Sequence, residues 1–242
     1  MINEKQFLRN TLLYLSLKYH GDYFSILNAL KNKEDVDYDT VMKTADRFNG
    51  HFITYLDDEY PSNLRNYFRP PFVLFYEGDI NLLKHKNIVA ISCTRDTDKN
   101  DYENANIILK NDLDVVYLIV SLKNEMDTYI LSLGKPTIAM LGHSLLLKPD
   151  NIKCDLVLTE CTPDNLDITQ ETMMRRIGIM AGLATKQLVL SCKNNSGSVF
   201  LVENMLNLGK DVLVVPKINM FNAELIGEGA IPCTRALQLQ TI

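Results

Sequence analysis

From residue 87 onward the chain alternates strand-length apolar runs with longer mixed stretches, and this alternation restricts the folds open to it. The runs are Ile88–Ser92, Val115–Val120, Thr137–Leu141, Asp155–Leu158, Gln187–Leu190 and Val212–Val215. Several are apolar almost without a break, as strands buried on both faces are. Between them lie stretches of helical length at 98–111, 124–133, 169–183 and 198–208. Strands alternating with helices predict an α/β fold, a Rossmann-like parallel sheet with flanking helices. Right-handed crossovers then gather the C-terminal ends of the strands along one edge, where such sheets bind ligands.

The first fifty residues read differently. Residues 6–17 place Phe7, Leu8, Leu12, Leu13, Tyr14, Leu15 and Leu17 on one broad helical face. Helices also fit Tyr23–Lys31 and Tyr38–Phe48, and Asn49-Gly50 is a helix-stop signal. Residues 1–50 are therefore expected to form a small helical N-terminal domain, and 51–242 the Rossmann-like one. The join carries a β-rich stretch, His51–Tyr55. Pro70-Pro71 then excludes a helix, and the strand-like Val73–Tyr76 closes at Gly78.

Net charge of −5 and a pI near 5.4 argue against a surface coated in basic residues for duplex DNA. They leave room for a local basic pocket. Cys93, Cys154, Cys161, Cys192 and Cys233 form no C-x-x-C pair and no histidine lies near them, so no zinc site and no disulfide is expected. Neither a secretory signal nor a membrane-length apolar run is seen, which gives the expectation of a cytoplasmic protein without membrane contact. No nucleophile elbow, Walker A loop or H-E-x-x-H motif occurs.

Several segments, taken in order, resemble the DprA/Smf family of DNA-processing proteins. Leu56-Asp-Asp-Glu-Tyr-Pro-Ser-Asn-Leu64 precedes Arg69-Pro-Pro-Phe-Val-Leu-Phe-Tyr-Glu-Gly-Asp79. Val89-Ala-Ile-Ser-Cys-Thr-Arg95 is similar to the family's Val-Ala-Ile-Val-Gly-Ser/Thr-Arg. Gly134–Gly142, Leu156–Pro163 and Arg176–Ala184 follow, then Ser196-Gly-Ser-Val199, Gly209–Pro216 and Leu225–Ala230. The resemblance covers about residues 53–235. It implies a helical N-terminal domain, an extended Rossmann fold, and a dimer that binds single-stranded DNA and loads RecA in natural transformation. It implies no catalytic activity, metal or cofactor.

The departures gather at the binding edge. Cys93 stands where the family has a glycine that lets backbone approach phosphate. Only Arg176 of an Arg-Asn-Arg triplet is kept, with Gly178 in the last position. Lys217 follows Pro216 where glycine is usual, and the Gly-x-Asn before Leu225-Ile226 is missing, though Asn222 is close by.

The candidate binding residues are Thr94, Arg95, Lys123, Arg175, Arg176, Ser196, Gly197 and Ser198. Arg95 follows a buried strand, where a guanidinium can grip phosphate; its bland alternative is an ion pair with Asp96 or Asp98. Arg175 and Arg176 either contact phosphate or form a solvated pair on a helix. Lys123 follows the second strand of the alternating series at the same edge. Ser196–Ser198 open a helix, where backbone amides favour anions, and Ser196 alone reads equally as an N-cap. Asp127 and Glu160 read as ordinary acids. The expected function is that of a single-stranded DNA-binding recombination mediator. A nucleotide sensor, or a degenerate paralogue acting through protein contacts, are the alternatives the missing glycines leave open.

Overall fold

A computed structural model describes residues 4–194, 196–217 and 221–240. The N-terminal helices are α1 (Glu4–Lys18), α2 (Tyr23–Lys31) and α3 (Tyr38–Arg47). After β1 (His51–Thr54), the short α4 (Ser62–Arg65) and β2 (Val73–Gly78), the alternating region begins. It runs β3 (Ile88–Ser92), α5 (Lys99–Leu109), β4 (Val116–Ile119), α6 (Glu125–Ser132), β5 (Thr137–Met140) and β6 (Leu156–Thr159). It continues with α7 (Gln170–Leu183), β7 (Lys186–Val189), α8 (Gly197–Asn207), β8 (Asp211–Val214), α9 (Asn222–Gly227) and β9 (Ile231–Pro232). Every strand and helix expected from the pattern is present, with ends shifted by one or two residues. The sequence pattern did not predict α4, α9 or β9.

Among the described residues the strands form one sheet in the order β1-β2-β6-β5-β4-β3-β7-β8-β9. From β6 to β9 every neighbouring pair is parallel. The sheet is extended by β1 and β2, which pair antiparallel with each other and with β6, so it is not parallel throughout. Gly78 ends β2 at φ +103°, and a Cβ there would lie 2.1 Å from the Asp155 carbonyl oxygen. Only glycine takes that backbone at that spacing.

Alternate strand residues feed two cores, as the period of two requires. Ile88, Ala90, Val116 and Leu118 pack toward α4, α7 and α8. Val89, Ile91, Tyr117 and Ile119 pack toward α5 and α6. Burial of each such side chain contributes roughly 1.5–3 kcal/mol, so the central strands are the most firmly held part of the sheet. The helical segment is joined to the sheet by a third cluster, in which Leu12 and Leu13 of α1 meet Val73 and Phe75 of β2. The buried Asp57 reinforces that join by accepting from Arg9 Nε at 2.9 Å.

The chain winds from β3 through β4 and β5 to β6, then returns through α7 to place β7 on the other side of β3. The loops that leave β3 and β7 therefore diverge, and a crevice opens between them at the C-terminal edge.

Candidate functional site

That crevice is a cleft of about 700 Å³. The loop after β3 contributes Cys93, Thr94 and Arg95, and the loop after β4 contributes Asn124 with Asp127 of α6. Lys193 and Ser196–Ser198 come from the loop after β7 and the start of α8. The roof is the first half of α7, with Met173, Met174 and Arg176 turned inward. Thr94, Arg95, Arg176, Ser196, Gly197 and Ser198, far apart in sequence, thus meet in one place. Asn195 of the same loop lies outside the described residues.

Arg95 is exposed and forms no ion pair among the described residues. The two acids that offered it a partner are engaged elsewhere. Asp96 pairs with Lys193, and Asp98 lies 3.2 Å from Lys217 Nζ. Lys217 also reaches the buried Asp101 at 2.5 Å. The lysine that replaces the usual glycine after Pro216 therefore neutralises carboxylates beside the cleft and leaves Arg95 uncommitted.

Arg176 donates from Nη1 to the Val120 carbonyl at 3.0 Å, which holds its fork over the end of β4. Its Nε is buried without a hydrogen-bond partner among the described residues. The Oγ of Ser196 is also buried and unpartnered among the described residues, and it makes no capping bond to α8 although the residue occupies the N-cap position. A buried orphan donor costs about 1–3 kcal/mol, and an anion in the cleft would satisfy such groups. The first amides of α8 have no intrahelical acceptor and carry the positive end of the helix dipole.

Thr94 works within its own loop. Its Oγ1 donates to the Asp96 carbonyl at 3.2 Å, and its amide lies 3.4 Å from Ser191 Oγ. Cys93 Sγ sits 3.2 Å from the same Ser191 Oγ, and burial pushes its thiol up to about 12. Asp127 is buried at the cleft wall. Desolvation pushes its carboxyl up to about 7, although Arg176 and the amide of Asn124, 2.7 Å away, favour the charged form.

Two of the residues chosen from sequence do not line the cleft. Arg175 immediately precedes Arg176 on α7, but one residue turns a helix by about 100°, so the two side chains leave on different faces. Arg175 grips Glu160 through Nε at 2.9 Å and Nη2 at 2.5 Å, both side chains being largely buried. Burial pushes the Glu160 carboxyl up and Arg175 pulls it back. Lys123 is exposed on the loop after β4, its amide donating to Ser121 Oγ at 2.9 Å, and its side chain is not among those lining the cleft.

Two residues that shape the site escaped the sequence reading. Gln187 of β7 donates to Ser92 Oγ at 2.8 Å and to the Ser198 carbonyl at 3.4 Å, tying β3 to the start of α8. Asn222, fully buried, donates to the Leu190 and Val215 carbonyls and accepts from the Cys192 amide. It ties the end of β7, from which the Ser196 loop departs, to the end of β8. A polar residue in an apolar strand run was the available signal for Gln187; Asn222 gave only its nearness to the family's asparagine. The arrangement can hold a phosphate-bearing ligand by one free guanidinium, one half-satisfied guanidinium and a helix N-terminus.

Residues 51–240 match the model of the family described as DNA recombination-mediator protein A. The chain is 29% identical over 174 residues to the DNA processing protein DprA of Streptococcus pneumoniae, strain ATCC BAA-255 / R6. That match takes in 66% of this chain and 61% of the relative, so the matched part spans about three-fifths of its length. The X-ray structure of DNA processing protein A from Streptococcus pneumoniae superposes with a TM-score of 0.72 at 24% identity, covering 98% of this chain and 94% of that one. A structure of DNA processing protein A from Helicobacter pylori, a protein with a single-stranded DNA binding mode, gives a TM-score of 0.65 at 20% identity. It covers 79% of this chain and 94% of the other.

Proposed function

Because the chain belongs to the DNA recombination-mediator protein A family, we propose that it binds single-stranded DNA in the switch-point cleft and passes the strand to a RecA-type recombinase, acting as a homodimer in the cytoplasm. The observation that carries this reading is Arg95. It stands at the cleft without a carboxylate partner while Asp96 and Asp98, its neighbours, are neutralised by lysines. A cation left free beside neutralised acids attracts phosphate.

In this reading the phosphate contacts are Arg95 at the mouth, Arg176 below it and the amides and hydroxyls of Ser196–Ser198. Phe200 is the one aromatic ring among the described residues lining the cleft, so phosphate contacts, more than base stacking, set affinity there. The reading gives the protein no catalytic step. Glu160 is held by Arg175, and Asp127 adjoins groups suited to gripping an anion.

The test is the binding of a fluorescent single-stranded oligonucleotide at about 50 and 200 mM salt, with wild type, Arg95→Ala and the Arg95→Ala/Arg176→Ala pair. About three phosphate contacts predict a roughly twentyfold loss for wild type across that range. The double variant is expected to bind weakly and with a shallower salt dependence. No binding by the wild type overturns the reading. The dimer is checked by mass in solution, and strand transfer by the rate at which a RecA-type protein assembles on DNA held by this one.

A further inference from the structure

The cleft is poor in rings, yet rings gather on the far side of its roof. Phe68, in the segment after α4, is 66% exposed, and Phe24, at the start of α2, is 49% exposed. Between them lies the guanidinium of Arg69, with Cζ 4.4 Å from the Phe24 ring centre and 5.2 Å from that of Phe68. Arg69 has no carboxylate partner among the described residues. Both phenylalanines rest on further rings. Tyr67 meets Phe68 edge-on at 4.7 Å, and Tyr23 meets Phe24 edge-on at 5.5 Å. Tyr67 is itself buried, and Tyr23 stacks on Phe72 at 5.2 Å. The surface is therefore braced from beneath, so little side-chain freedom is lost when a flat ligand settles on it.

We propose that Phe24, Arg69 and Phe68 form a stacking platform for the bases of a single strand that leaves the cleft across α7. This rests on the cleft reading above. The first turns of α7 are shared by the two sites: Met173 and Met174 line the cleft, while Thr169 and Thr172 line a depression of about 400 Å³ that also contains Phe24 and Arg69. The two sites thus lie about one helix diameter apart, roughly 10 Å. About three nucleotides at roughly 3.4 Å each cover that distance.

The local charges say how the strand would lie. Asp22 caps α2, Asp164 pairs with His20, and Glu171 lies in the first turn of α7. These acids disfavour phosphate, so affinity on the platform comes from stacking on the rings and on the planar Arg69 cation. Bases face the protein there and phosphates face solvent. The gain in affinity from the platform should therefore depend little on salt, unlike binding in the cleft.

The chain contains no tryptophan, so Phe68→Trp installs a single fluorescent reporter at an exposed position. Oligothymidylates of about 6 and about 20 nucleotides would be compared by anisotropy and by tryptophan quenching. The longer strand is expected to quench Trp and the shorter one not. Phe24→Ala/Phe68→Ala should lose about tenfold in affinity for the longer strand and keep wild-type affinity for the shorter one. An unquenched Trp at saturating long strand, or a double variant that binds both oligomers like wild type, overturns the platform and leaves the cleft reading standing. Absence of binding by either oligomer to wild type overturns both.

Discussion

The hydroxyl of Tyr67 occupies the place where a side chain on Gly178 would begin: a Cβ built there lies 1.9 Å from the Tyr67 oxygen and 2.8 Å from its Cζ. Gly178 sits in the middle of α7, where alanine is preferred by about 1 kcal/mol. The contact opposes that preference, because the Tyr67 ring it meets is itself buried. Gly178→Ala is expected to lower stability by about 1–3 kcal/mol in urea denaturation. Combined with Tyr67→Ala, its effect should be less than additive. A stabilising Gly178→Ala would show that the ring yields. At this position, where the family resemblance has arginine, Tyr67 fills the space that a longer side chain would need.

Arg175 and Arg176, adjacent in sequence, are expected to give different phenotypes. Arg175→Ala strands the buried Glu160 carboxylate, a change that costs about 3–5 kcal/mol. Arg176→Ala should weaken DNA binding and flatten its salt dependence with a smaller loss of stability. Thermal melting and oligonucleotide binding, measured on both variants, separate the two roles. Equal losses of DNA affinity at full stability would place Arg175 in the binding site after all.

The regular part of the molecule was legible because the strands from β3 to β8 are buried on both faces and leave apolar runs that few other structures produce. Their order was not, since nothing in Lys186–Val189 records that it lies beside β3 and not β6. The same limit applied at the site. That Arg95 and the Ser196 loop would lie at the sheet's C-terminal edge was legible because they follow strands directly. The pairing of Arg175 with Glu160 was not legible, because Glu160 is brought to it only when β6 and α7 pack. β9 is two residues long, Ile231–Pro232, and carries no periodicity to detect. Asn222 could not be assigned, because its three bonds go to strand ends that converge only in the folded chain.

Asp127 predicts a pH dependence with a definite sign. Its carboxyl titrates near 7 in the folded protein and near 3.8 when exposed in the unfolded chain. Between those values the folded state holds the extra proton, so stability falls as pH rises from about 4 to about 7 and levels off above that. The slope from this group is at most about 1.4 kcal/mol per pH unit. DNA binding should weaken in the same sense, by about fivefold from pH 6 to pH 8, as a negative charge appears beside Arg176. Asp127→Asn should remove both trends. Cys93, with its thiol near 12, adds nothing in that range, and no histidine is among the described residues lining the cleft. A pH profile unchanged in Asp127→Asn would assign the dependence elsewhere.

Cys93 decides how closely a phosphate can approach the end of β3. Its side chain lines the cleft and is held against Ser191 Oγ at 3.2 Å, at the position where the family resemblance has glycine. Removing the side chain opens the backbone at the switch point to the ligand, the arrangement that phosphate-binding loops use. Cys93→Gly is therefore expected to tighten single-stranded DNA binding by about fivefold. It should also steepen the salt dependence, because a closer strand releases more counterions. The same variant loses a partly buried side chain, so a modest loss of stability, about 1 kcal/mol, is expected alongside the gain. Weaker binding by Cys93→Gly, at unchanged fold, would mean that the thiol and Ser191 hold the Thr94–Arg95 loop in its binding shape. In that case the cysteine is part of the site and not an obstruction within it.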